Sequence, residues 1–287
     1  MPGMERERSK AVVGLSGGVD SAVAAAMLRD AGYDVLGLFL RLGCGDAGPD
    51  QHAEDAQAVA DTLGIPLEVR DAQVEFAPVV EDFVREYAAG RTPNPCARCN
   101  VWVKLPGLLA AADTCEAAYV ATGHYARVVR RDGRAALARA AAGGKDQSYA
   151  LFSLSNAMLE RLLLPLGELP GKDATRGRAR RLGLPVHEKS ESQEICFVPG
   201  DHYRAFLAGR AEAPGAGLAD ALAPGPIEDA AGKILGEHDG YAGFTVGQRR
   251  GLGVAAGEPL YVLRIEPERR AVVIGPRRAA AGRELAA

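Results

Sequence analysis

The stretch Ala11-Val12-Val13-Gly14-Leu15-Ser16-Gly17-Gly18-Val19-Asp20-Ser21 runs from apolar residues into a glycine turn, and an alanine-rich segment from Ser21 to Ala31 follows before Gly32 stops it. A short apolar run bounded by glycines reads as a buried strand, and the segment after it as a helix. At such a junction the unpaired backbone N–H groups and the positive end of the helix favour a phosphate, and glycines let the backbone approach it closely. The loop lacks the Gly-Lys-Ser/Thr ending of one phosphate loop and the spacing of the dinucleotide fingerprint, so neither γ-phosphoryl transfer nor hydride transfer is indicated. The plain alternative is a glycine turn in which Asp20 or Ser21 caps a helix.

Outward from this junction, Tyr33 to Leu42 reads as a β-run, Gln51 to Leu63 as a helix, Ile65 to Arg70 as a strand and Pro78 to Ala89 as a helix. Val101 to Ala112 reads as another helix and Ala118 to Thr122 as another strand, ending in Gly123-His124. Alternating β and α elements predict an α/β fold with a doubly wound parallel sheet over residues 1–144. Helical patterns follow over 145–208 (Asn156 to Leu164, Asp173 to Leu182), then a linker rich in alanine, glycine and proline over 209–228. Beyond it, Tyr241 to Val246, Leu260 to Glu266 and Ala271 to Ile274 predict a small all-β domain over 229–287.

A hydrophobic content of 47% with 25% charged residues is ordinary globular usage and excludes a largely disordered chain. No apolar run approaches the roughly 18 residues that a membrane-spanning helix needs, and Met1 to Lys10 carries no signal pattern, so a cytoplasmic protein without membrane attachment is expected. The net charge of −3 gives no global basic excess, which leaves nucleic-acid binding to local patches. One candidate patch comprises Arg176, Arg178, Arg180 and Arg181 with Arg249 and Arg250; a solvated helix face is its bland counterpart.

The five cysteines, Cys44, Cys96, Cys99, Cys115 and Cys196, are odd in number and follow no export signal, which points away from a disulfide framework. In Thr92-Pro93-Asn94-Pro95-Cys96-Ala97-Arg98-Cys99-Asn100 two prolines lead into the next helix, which puts Cys99 near a helix N-terminus beside Arg98. That setting predicts a lowered thiol pKa. Half of a zinc site is the alternative, but no second Cys-x-x-Cys or Cys/His pair follows and no metal is assigned. Cys44 and Cys115 read as incidental or packing residues.

The loop Ser16-Gly17-Gly18-Val19-Asp20-Ser21 resembles the pyrophosphate loop of the ATP pyrophosphatases. Further motifs follow in order: Thr92 to Asn100, Ala121-Thr122-Gly123-His124-Tyr125-Ala126-Arg127, Lys145-Asp146-Gln147-Ser148-Tyr149, Ser192-Gln193-Glu194-Ile195-Cys196-Phe197, and Phe244-Thr245-Val246-Gly247-Gln248-Arg249-Arg250-Gly251-Leu252-Gly253. Together they are similar to the tRNA-specific 2-thiouridylase family from Ala11 to Gly275. The resemblance implies an adenine nucleotide α-hydrolase-like fold and ATP-dependent 2-thiolation of the wobble uridine of tRNA, by adenylation of C2 and sulfur transfer from a cysteine persulfide. It implies Cys99 as nucleophile and Cys196 as persulfide carrier. An ATP site is implied at Gly14, Leu15, Ser16, Gly17, Gly18, Val19, Asp20, Ser21, Leu40 and Gly123. Base contacts are implied at Asn94, Pro95 and Cys96, and tRNA contacts at His124, Lys145, Asp146 and Gln147.

ATP and Mg²⁺ are the expected cofactors, tRNA the expected partner, and a persulfide donor such as a cysteine desulfurase relay protein the expected sulfur source. A [4Fe–4S] cluster on Cys96, Cys99 and Cys196 is a second possible sulfur carrier. The sequence departs from the family in two places. Lys104-Leu105-Pro106 stands where the family has Lys-Phe-Gly, which predicts an interrupted or bent helix. The family's further C-terminal β-barrel is read as absent, which motivates an alternative: the same chemistry on a free nucleobase, nucleoside or other small molecule. A loop-sharing synthase without thiol chemistry is the third reading.

Overall fold

The computed structural model describes residues 9–43, 48–141, 145–190, 195–198, 200, 202–211 and 217–280, without the side chains of residues 48–50 and 280. Cys44 and the motif residues Ser192, Gln193 and Glu194 lie outside the described residues. By contacts the chain forms two units, one of residues 1–79 with 96–197 and one of residues 80–95 with 198–287.

In the first unit, β1 (Lys10–Gly14), α1 (Val19–Asp30), β2 (Asp34–Arg41), α2 (Gly48–Leu63) and β3 (Leu67–Asp71) alternate as the sequence predicts. The start of α3 (Gln73–Ala88), then α4 (Pro95–Cys99), a π-helical turn over Asn100–Lys104, α5 (Leu105–Thr114) and β4 (Tyr119–Ala121) follow. A hairpin of β5 (Ala126–Arg131) and β6 (Arg134–Arg139) comes next, then α6 (Asn156–Glu160), β7 (Leu162–Leu163) and α7 (Lys172–Arg181). The five-stranded sheet has the order β3-β2-β1-β4-β7 with every neighbouring pair parallel.

Successive residues of β1 face opposite sides of this sheet. Ala11 and Val13 join a core with α1, α2 and Ala179 of α7, while Val12 joins another with Leu105, Leu108, Ala111 and Ala112 of α5. Helix α1 is buried at Val19, Ala22 to Ala26 and Leu28, so it is covered almost all round. A helix apolar on every face needs such cover, and its alanines allow the close packing that holds its first turn under the glycine loop.

Three predicted elements differ. The helix expected over Asn156 to Leu164 ends at Glu160, because Leu162 and Leu163 pair with Val120 and Ala121 as the fifth strand; tertiary pairing overrides helix propensity there. The β5–β6 hairpin turns on Asp132 and Gly133, both at positive φ (52° and 76°), a two-residue Asp-Gly signal that the sequence reading passed over. Pro106 does not break the helix. The π-helical turn ends just before it and α5 restarts at Leu105, so the missing proline N–H falls where a new helix begins.

In the second unit, α8 (Tyr203–Ala208), α9 (Leu218–Leu222), β8 (Gly225–Glu228), β9 (Ile234–His238), β10 (Leu260–Glu266) and β11 (Ala271–Pro276) give a four-stranded sheet of order β10-β11-β8-β9. The expected linker 209–228 thus contains ordered structure, α9 and β8, and the expected strand at Tyr241 to Val246 is instead a 3₁₀ turn at Tyr241–Gly243. The Tyr241 ring is buried and its hydroxyl donates to the Ala88 carbonyl at 2.6 Å. Phe83, Tyr87, Tyr203 and Phe206 pack their rings within this unit. Arg269 clamps the buried Glu228 carboxylate at 2.7 and 2.9 Å.

Candidate active site

The glycine loop is organised by its own serines. The Ser16 N–H donates to Ser21 Oγ at 3.1 Å, and the Ser21 hydroxyl donates to the Gly18 carbonyl at 3.0 Å. Gly17 has φ +70°, and a Cβ there would meet the His52 carbonyl oxygen at 2.5 Å. A Cβ on Gly123 would lie 2.6 Å from the Ser21 backbone nitrogen, so only glycine lets β4's end approach the first turn of α1. Asp20 in that turn receives Lys172 Nζ on both oxygens, at 2.7 and 2.8 Å, and the Tyr125 hydroxyl at 2.8 Å.

A cleft of about 350 Å³ opens over this loop. Residues Gly14 to Ser21, Leu40 and Gly123 line it, so every position expected to hold ATP faces one space. Among the described residues four lysines line the cleft (Lys104, Lys145, Lys172 and Lys189) against one aspartate, Asp20, a balance suited to a polyanion. Of the expected tRNA-contacting residues, His124, Lys145 and Gln147 line the same cleft. Gln147 accepts the Tyr125 N–H at 3.0 Å, and Lys145 lies 5.3 Å from the Tyr125 ring centroid. Asp146 instead faces its own loop, accepting the Ser148 hydroxyl at 2.9 Å and the Ala140 N–H at 3.2 Å.

The cysteine end differs from the sequence expectation. Helix α4 starts at Pro95, so Cys99 lies at its end, buried to 4% exposure, with Cys96 exposed in the first turn. Burial pushes the Cys99 thiol up to about 11, with Lys104 the one cation pulling it down; the predicted lowering does not occur. Arg98, expected to activate it, lies 5.1 Å from the Trp102 ring centroid. Asn94 is exposed and Pro95 buried at the start of α4.

Cys196 is exposed, and the neighbouring Phe197 ring packs edge-on against Phe76 at 5.7 Å. The Cys196 thiol raises the pKa of both Cys96 and Cys99, so the three thiols lie within electrostatic reach of one another. Among the described residues no three His, Cys, Asp or Glu side chains converge as a metal site. Cys115 is half-buried, with its thiol 3.7 Å from the Ala112 carbonyl, in keeping with a packing residue.

Between loop and cysteines stands His124. Its Nδ1 is 2.8 Å from Thr122 Oγ1, its Nε2 is 3.5 Å from the Asn100 amide nitrogen, and burial with the nearby Lys104 charge pushes its pKa down to about 3. Asn100 is fully buried and also donates to the Ala150 carbonyl at 2.9 Å. Sequence reading missed Lys104, Thr122, Lys172 and Lys189 as site residues. Lys104 was legible from its place five residues after Cys99; the other lysines reach the loop from α7 and beyond, and nothing in their local sequence signals it. Of the basic patch, Arg178 pairs with Asp30 at 3.1 Å and Arg176 donates to the Lys189 carbonyl, while Arg180, Arg181, Arg249 and Arg250 are exposed. No helix among the described residues is long and apolar enough to cross a membrane.

A family model described as the tRNA methyl transferase HUP domain matches residues 9–200, and one described as the tRNA methyl transferase PRC-barrel domain matches residues 218–276. The chain is 42% identical over 304 residues to the tRNA-specific 2-thiouridylase MnmA of Rhodopirellula baltica, covering 93% of this chain and 74% of that one. It is 46% identical over 287 residues to the protein of the same name from Heliobacterium modesticaldum, covering 96% and 73%. Among solved structures, an NMN synthetase from Francisella tularensis aligns with a TM-score of 0.40 and 18% identity over 65% of this chain and 67% of that one.

Proposed function

Because this chain belongs to the tRNA-specific 2-thiouridylase family, we propose that it is a tRNA-uridine 2-sulfurtransferase that adenylates the C2 carbonyl of the wobble uridine and replaces its oxygen with sulfur carried on Cys196. The observation that carries the reading is one unit holding both a lysine-rich cleft over the glycine loop and three thiols within electrostatic reach of one another. Lys104 lines that cleft and acts on both Cys96 and Cys99, which links the nucleotide end to the sulfur end.

In this mechanism the uridine C2 oxygen attacks the α-phosphorus of ATP, the bond from that phosphorus to the bridging α,β-oxygen breaks, and pyrophosphate leaves with the electron pair. Backbone N–H groups of the glycine loop receive the phosphates, and Leu40 lies against the adenine. Mg²⁺ supplies charge neutralisation when bound, with Asp20 the one carboxylate lining the cleft to hold it.

The terminal sulfur of a Cys196 persulfide then attacks C2, and AMP departs with the former carbonyl oxygen. Cys99, as thiolate, attacks Cys196 Sγ, which releases the thiocarbonyl product and leaves a Cys99–Cys196 disulfide for a cellular thiol reductant. The high resting pKa of Cys99 means that its proton must leave after substrate enters, with Lys104 stabilising the thiolate. His124, Lys145 and Gln147 orient the base beside the α-phosphate, and the exposed Arg180 and Arg181 meet the tRNA backbone. A persulfide relay protein supplies the sulfur.

The test is to incubate the chain with ATP, a persulfide donor and tRNA and to read sulfur incorporation by mass. Turnover should fall on the order of a thousandfold in Cys99→Ser and in Cys196→Ser while ATP binding persists. Full activity in both variants would remove thiol chemistry from the site, and sulfur appearing in uracil-type small molecules but not in tRNA would reassign the substrate.

A further inference from the structure

Two of the cleft lysines, Lys172 and Lys189, have no part in the sulfur steps, and both bear on the glycine loop. Lys172 is the first residue of α7, and the Tyr125 hydroxyl that reaches Asp20 also lies 2.8 Å from Thr175 Oγ1, one turn further along the same helix. Thr175 is fully buried. The ammonium of Lys172 is therefore located from two sides, through Asp20 in α1 and through the helix that carries it. Lys189 reaches the loop itself, donating to the Gly17 carbonyl at 3.0 Å and to His52 Nδ1 at 3.1 Å and pairing with Asp55. Their side chains are only 16% and 28% exposed, so neither is a freely moving surface charge.

The loop carries no lysine of its own, and a helix N-terminus offers only about half a positive charge, while a triphosphate brings several negative ones. Lys104 and Lys145 stand on the side of the cleft that holds His124 and Tyr125. From these placements we infer that Lys172 and Lys189 are the cations that grip the β- and γ-phosphates of ATP and hold pyrophosphate as it leaves. The inference deepens the adenylation reading and rests on it. Of the three contacts of Lys189, the one to the neutral acceptor His52 Nδ1 is the weakest, and a phosphate oxygen takes its place. Each ammonium is set in position by its aspartate before the nucleotide arrives.

Affinities of the full chain for ATP, AMP and inorganic pyrophosphate, read by calorimetry, test this. Lys172→Met and Lys189→Met should each raise the Kd for ATP and for pyrophosphate by about tenfold or more while the Kd for AMP stays within about twofold, and arginine at either position should recover part of the loss. Because Lys172→Met leaves Asp20 without its cationic partner, the pair Lys172→Met with Asp20→Asn is measured alongside, with thermal melting to confirm folding. Unchanged pyrophosphate affinity in the methionine variants, or AMP weakened as much as ATP, overturns the inference while wild-type ATP binding still stands for adenylation. A wild-type chain that binds neither ATP nor pyrophosphate overturns both.

Discussion

At the glycine loop the charged groups are matched in pairs, Lys172 with Asp20 and Lys189 with Asp55, each partly open to water. At the cysteine end of the same unit the titratable groups are held neutral instead, with Cys99 pushed up to about 11 and His124 down to about 3 by burial. A paired, half-solvated charge costs little to maintain and attracts a polyanion at once. A buried thiol withholds its nucleophile until a substrate alters its surroundings, which protects it from idle oxidation. The glycine-loop end thus rests with its charges paired, while burial keeps Cys99 and His124 neutral.

The sharpest way to break this contrast is to compare thiol reactivities. At pH 8 a thiol with a pKa of about 11 is thiolate in roughly one molecule in a thousand, so iodoacetamide should modify exposed Cys196 about tenfold or more faster than buried Cys99, read by peptide mass. Equal rates would mean that Cys99 is already activated. At the other end, Gly123→Ala puts a Cβ against the Ser21 nitrogen and should weaken ATP binding by about ten- to a hundredfold, on an overpacking cost of about 1–3 kcal/mol. Wild-type affinity in that variant would show that the loop adapts and is not preset.

A smaller effect concerns His124. Its folded pKa lies below its unfolded value of 6.5, so between about pH 6.5 and 3 the unfolded chain binds the extra proton and stability is lost as pH falls. The loss from this group should approach about 1.4 kcal/mol per pH unit within that window, visible in denaturant melts and flattened in His124→Gln. Least of all, Lys104→Met removes the cation that lowers the Cys99 pKa and should slow Cys99 alkylation a further few-fold at constant pH. An acceleration would place the activating charge elsewhere.

The glycine-loop junction was legible because its geometry is local. Backbone N–H groups, three glycines and a helix start lie within Gly14 to Ser21, and strand–loop–helix order follows from periodicity alone. The cysteine end was legible as a list of residues but misread in its electrostatics. Pro93 and Pro95 place Cys99 near a helix N-terminus in the sequence reading, whereas a helix already begins at Pro95 and leaves that thiol buried at its end. Leu162 and Leu163 continue a helical pattern in the sequence, and only their pairing with β4 makes them a strand. The Asp132-Gly133 turn, by contrast, was a local signal that went unused.

The sequence by itself determined the alternating α/β order and the strand–glycine loop–helix junction, since each depends on neighbours within a few residues, while the roles of Cys99 and Cys196 came from a resemblance that runs along the chain. Only the tertiary structure decided which lysines line the cleft over the glycine loop, that His124, Lys145 and Gln147 share that cleft, and that burial raises the Cys99 pKa. Those outcomes depend on burial and on charges brought together from more than a hundred residues apart, as Lys172 and Asp20 are, and desolvation is a property of the packed molecule that no short stretch of chain carries.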